Sequence, residues 1–127
     1  MTRLSAAVAV VLAVLAGPAA AESVAILQGL DKVTARVSTL AAPIDQPVSF
    51  GTLEITLRAC HKTPPEEPPE SAAFLEIRER KPDAPVATLF VGWMFASSPA
   101  LSALEHPVYD IWVLDCRTAE TESPTPP

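Results

Sequence analysis

Leu53, Ile55, Leu57 and Ala59 alternate without interruption with Thr52, Glu54, Thr56 and Arg58. A period of two sends every second side chain to one face. This run therefore specifies a strand with one apolar and one polar face, as in an antiparallel sheet covered on one side. The same period recurs where Ala73, Leu75 and Ile77 alternate with Phe74, Glu76 and Arg78. It recurs again where Val33, Ala35 and Val37 alternate with Lys32, Thr34, Arg36 and Ser38, which predicts a half-buried strand over 31–40. Ala41 to Pro47 reads as a connection, Val48-Ser49-Phe50 as a short strand, and Gly51 as a bulge or tight turn.

Proline and charge punctuate the rest. Pro64, Pro65, Pro68 and Pro69 fall within six residues, which excludes helix and central strand and predicts an extended, solvated loop. A charged turn over Glu79 to Pro85 ends the strand before it. In Thr88 to Phe95, and in Val108 to Leu114 apart from Asp110, both parities are apolar. Such strands need a cover on each face. Either they are central strands overlaid by neighbouring segments, or one face is an exposed apolar patch of the kind that marks a partner site. Between them, Ser98 as an N-cap, Pro99 at the first helical position and Pro107 as a stop predict one short helix at about 98–105. A further single turn near Ala25 to Leu30 completes the elements.

The 49% hydrophobic content of the 127 residues is inflated at the N-terminus. Arg3, the apolar run Leu4 to Ala16, the breaker Gly17-Pro18 and Ala19-Ala20-Ala21 have the three parts of a secretory signal peptide, with cleavage expected after Ala21. The run is too short to cross a bilayer core, which takes about 20 residues. The expected organisation is a signal peptide over 1–21, a single β-rich domain over 22–117 and a disordered, polar tail over 118–127. Without the leader, 8 basic residues face 15 acidic ones, a formal charge of −7. That balance argues against nucleic acid as a partner, because no basic stripe is present to neutralise phosphates. No second apolar stretch is long enough to span a membrane after signal cleavage.

Cys60 and Cys116 are the two cysteines, each at the end of a strand-like run. Export sends them to an oxidising compartment, where a disulfide between them is expected. Two other uses are weaker. A zinc site from Cys60, His61, His106 and Cys116 has no recognisable ligand spacing. A Cys60 nucleophile activated by His61 would need two strand neighbours to share a face.

Phe50-Gly51-Thr52-Leu53-Glu54-Ile55, Arg58-Ala59-Cys60-His61-Lys62, Gly92 to Leu101 and Glu105 to Asp110 together resemble the bacterial exported family catalogued as domain of unknown function 2155. The resemblance runs over about residues 26–117. It implies a periplasmic protein, with family members often encoded near a small accessory subunit of respiratory NADH dehydrogenase, and it carries no assigned activity.

The residues themselves offer two functional readings. The first is a non-enzymatic binding or accessory module: a small antiparallel β-sandwich or partly closed barrel, stapled by the disulfide. It would present Trp93 and Phe95, or Tyr109 and Trp112, to a protein partner, and the family resemblance implies that this partner belongs to an envelope or respiratory complex. No cofactor or metal is called for. The second is a small periplasmic hydrolase or lyase using His106 with Glu105 or Asp110, near the hydroxyls of Ser97 and Ser98. A structural role serves these residues equally well, with Ser98 capping the helix, His106 closing its end and Asp110 bonding the turn.

Overall fold

Alternation in the middle of the chain becomes the inner layer of a two-sheet sandwich. The structure is a computed structural model describing residues 23–100 and 103–118. The strands are β1 (Ser23–Asp31), β2 (Arg36–Pro43), β3 (Val48–Phe50), β4 (Leu53–Lys62), β5 (Ser71–Glu79), β6 (Ala87–Phe95), β7 (Leu104–Glu105) and β8 (Tyr109–Thr118). One sheet has the order β2-β1-β8-β7 and the other β3-β4-β5-β6, all neighbours antiparallel. Leu53, Ile55 and Leu57 of β4 and Ala73, Leu75 and Ile77 of β5 are buried against Ala25, Leu27, Ile111 and Val113 of the facing sheet. The architecture is thus the expected sandwich rather than the partly closed barrel.

The strand expected over 31–40 is instead a turn and the start of β2. Asp31 Oδ1 accepts hydrogen bonds from the amides of Val33 and Thr34, and Ala35 takes a left-handed φ of 58°. The carboxylate substitutes for a backbone turn and stops the strand. Val33, 78% exposed, and Val37, 54% exposed, lie outside the core that their alternation suggested. Ala25 to Leu30, read as a single turn, belong to β1, a central strand flanked by β2 and β8. Val24 to Leu27 are all buried, so the strand lacks the period that would have betrayed it.

No helix forms over the described part of 98–105. Leu104 and Glu105 pair with Ile111 and Asp110 as β7, and Ser98 closes a turn on the Phe95 carbonyl instead of capping a helix. A local cap signal is worth about 1 kcal/mol, which sheet pairing and the burial of Leu104 override. The leader expected over 1–21 and the part of the expected tail over 119–127 lie outside the described residues; Thr118, expected in the tail, ends β8.

Gly51 carries the β3–β4 turn. Its φ is 57°, and a Cβ there would overlap the Tyr109 ring and hydroxyl, so turn and inter-sheet packing require glycine together. Gly51→Ala is expected to lower the unfolding free energy by about 2–3 kcal/mol, combining left-handed strain with overpacking. Urea denaturation of the variant measures it, and a loss below about 0.5 kcal/mol would contradict this packing.

Candidate functional site

The outer face of the β3-β4-β5-β6 sheet presents aromatic side chains to solvent. Val91, Trp93 and Phe95 share a parity on β6, opposite to the buried Met94. They are 54%, 38% and 39% exposed. Register sets Trp93 beside Phe74 of β5, whose ring meets the indole edge-on at 5.4 Å. His61 of β4 stacks on the indole at 5.7 Å and 27°. Trp93 is therefore held between two rings in favourable aromatic geometries, presenting a fixed surface rather than a loose side chain. Below the cluster, Arg58 donates to Asp45 at 2.8 Å and to Glu76 at 3.0 and 3.1 Å, and Arg78 lies 3.9 Å from Glu76, so two cations balance two carboxylates beside the patch.

The four aromatics expected to meet a partner are divided by the fold. Trp93 and Phe95 lie together on this face. β6 is the edge of its sheet rather than a covered central strand, so the exposed-patch alternative holds there. β8 is central as expected, between β1 and β7. Tyr109 and Trp112 are three residues apart on β8 and so project to opposite faces. Tyr109 packs inward, edge-on to Phe50 at 5.4 Å and stacked on His106 at 5.3 Å. Trp112 is half-buried on the outer face of the β2-β1-β8-β7 sheet. There it lines an open groove with Lys32, Pro99, Leu104, Pro107 and Asp110. Lys32 Nζ pairs with Asp110 at 2.9 Å and also donates to the His106 carbonyl, so both groove charges are partnered.

His106 has a different partner from those expected. Its Nε2 lies 2.6 Å from Glu79 Oε2, and Thr52 Oγ1 donates to the same oxygen at 3.0 Å. Its Nδ1 accepts the amides of Val108 and Tyr109 at 3.0 and 3.2 Å. The lone pair on Nδ1 is thus used by the backbone, which leaves the hydrogen on Nε2, donated to the carboxylate. Burial by itself would push the Glu79 carboxyl up. The hydrogen bonds from Thr52 and His106, with the Lys81 charge, outweigh it and hold the group below its ordinary 4.5. Both side chains are about nine-tenths buried, and neither ring nitrogen is left to move a substrate proton. Asp110 is engaged by Lys32 instead. Glu79 was legible in principle, because it continues the parity of Ala73, Leu75 and Ile77 and so had to face inward.

At the other end of the sandwich, Cys60 of β4 and Cys116 of β8 form the expected disulfide, with Cα atoms 5.8 Å apart. Both thiols are consumed, so neither is a metal ligand or nucleophile in this state. Beside them Asp115 accepts from Lys62 at 2.9 Å, Arg117 at 3.1 Å and Ser71 at 3.3 Å. Burial opposes its ionisation, but the hydrogen bonds from Lys62 and Arg117 hold it below its usual range. Glu70 is held low mainly by the Ser97 hydroxyl and also by the Ser97 amide, and thereby fastens the turn after β6 to the start of β5. Among the described residues, no three His, Cys, Asp or Glu side chains are grouped to hold a metal, and no helix is long and apolar enough to cross a membrane.

Residues 25–116 match the model of a family described as an uncharacterized protein conserved in bacteria, DUF2155. A curated relative is the uncharacterized protein RP359 of Rickettsia prowazekii (strain Madrid E), 34% identical over 87 residues. The alignment covers 68% of this chain and 56% of that protein, so the chain spans little more than half of the relative's length. No solved structure matches.

Proposed function

The chain belongs to this family of uncharacterized bacterial proteins, domain of unknown function 2155, and on that premise we propose that it is a non-enzymatic binding module. It acts in the periplasm as an accessory to an envelope protein complex, a respiratory complex being one candidate. The observation that carries this reading is the Val91/Trp93/Phe95 face. Three large apolar side chains stand in water on one edge strand, two flanking rings fix the central indole, and the bordering charges are paired off. Rigid, exposed tryptophan and phenylalanine in a neutral setting suit the centre of a protein interface, where aromatic anchors carry most of the energy.

The acid–base alternative through His106 has less support. Its ring joins one sheet to the other, with one nitrogen on Glu79 and the other on two backbone amides.

The test is site-specific crosslinking from the outer face in intact cells, followed by affinity measurement with the captured protein. Trp93→Ala should weaken that affinity tenfold or more, the loss of one hot-spot side chain, with the melting temperature nearly unchanged. Trp112→Ala, on the other sheet, should leave it intact. Unchanged affinity in the Trp93 variant, or unfolding of that variant, would overturn the assignment.

A further inference from the structure

Four strands end the two sheets, and three of them carry devices that discourage pairing with another chain. β7 has two residues and β3 has three, too short to template a partner. β2 begins with Arg36 and ends with Pro43, a charge and a missing donor at its two ends. β6 differs. It is nine residues long and contains neither proline nor charge. The chain has no Asp, Glu, Lys or Arg from Ala84 through Leu104, although its formal charge is −6. One bulge, at Leu89, interrupts the register with β5; from Phe90 to Phe95 pairing is regular. Among the described residues, Ala87 to Met94 make no backbone hydrogen bond outside their pairing with β5.

We propose that the free edge of β6 pairs antiparallel with β6 of a second copy of this chain, joining two four-stranded sheets into one of eight strands. Electrostatics favours this occupant. Two acidic chains repel each other over most of their surface, whereas a strand without charge meets its own copy with no like charges opposed. Shape agrees. A two-fold axis at Gly92, normal to the sheet, sets Val91 against the second copy's Trp93 on the outer face, within the regularly paired part of the strand. β-branched and aromatic side chains opposed in this way are favourable cross-strand pairs. The same axis keeps both outer faces on one side, so the two Trp93/Phe95 patches become one continuous surface. The pairing uses the main-chain edge, so it stands or falls separately from partner capture through the outer face.

A nine-residue strand is about 30 Å long, and a single edge pairing falls short of the roughly 1,200–2,000 Å² of a stable standard interface. The dimer is therefore expected to be concentration-dependent. Light scattering on the exported chain from about 1 μM to about 1 mM should show the mass rising towards twice the monomer. Hydrogen exchange over the same range should show slowing of amides within 87–95. Val91→Glu, which places a carboxylate beside the axis on an exposed position, should weaken association tenfold or more with an unchanged circular dichroism spectrum. A monomer at every concentration overturns the proposal, as does association that Val91→Glu leaves unaltered. If that variant does not fold, exchange on the natural chain decides: a dimer whose β6 amides exchange as fast as the monomer's is not edge-paired.

Discussion

Replacing Cys60 and Cys116 together by alanine, or reducing the bond between them, is expected to remove about 4 kcal/mol of stability. The two cysteines are 56 residues apart in sequence, so the crosslink closes a long loop and strongly restricts the unfolded chain. For a domain of this size the loss is a large share of the usual 5–15 kcal/mol. The native state gives it little compensation. β4 and β8 lie in different sheets and share no ladder; near Cys60 and Cys116 the exposed bridge from Lys62 to Asp115 also joins them, and Ser71 of the neighbouring β5 bonds Asp115 and the Cys116 amide. Surface bridges of that kind are worth well under 1 kcal/mol. Denaturant titrations with and without reductant measure the difference. A difference below about 1 kcal/mol would mean that packing, not the crosslink, holds these strand ends.

The same two sheets show which parts of the fold the chain announces. β4 and β5 were legible because each has one wet face, so hydrophobicity follows the pleat. β1 was not, because Val24 to Leu27 are buried on both faces and so carry no alternation. The alternation over 31–40 is real in sequence but runs through a turn. Its left-handed residue is Ala35, where glycine or asparagine would have given warning, and the stop signal is a single aspartate. The helix expected over 98–105 is absent from its described residues because a cap and a proline act locally while β7 depends on a strand several residues later. The aromatic site was half legible. Trp93 and Phe95 were identified, yet their exposure depends on β6 lying at an edge, and strand order leaves no local trace. His61 and Phe74 reach the indole through cross-strand register alone.

His106→Ala should cost about 3–4 kcal/mol, nearly as much as the crosslink, because it removes a close donor from the buried Glu79 carboxylate, which keeps Thr52 and Lys81, and strips the amides of Val108 and Tyr109 of their acceptor. A distinctive pH profile accompanies the loss. Glu79 is held below its ordinary 4.5 in the folded protein, so its contribution is complete above that value and disappears as pH falls through the lower folded value. The natural protein should therefore lose stability on acidification below 4.5. The variant should lose less over the same window, since one source of the depression is gone. Glu79→Gln should flatten this part of the profile while retaining a hydrogen bond to the ring. Location makes the prediction separable from the first. Leu53 pairs with Glu79 at one end of β4, and Cys60 lies seven residues along the same strand, about 23 Å away. At that separation two effects add. The crosslink fastens one end of the facing sheets and the imidazole the other, so the triple variant should lose the sum of both, about 7–8 kcal/mol. A loss well short of that sum would show that the two ends do not unfold as one cooperative unit.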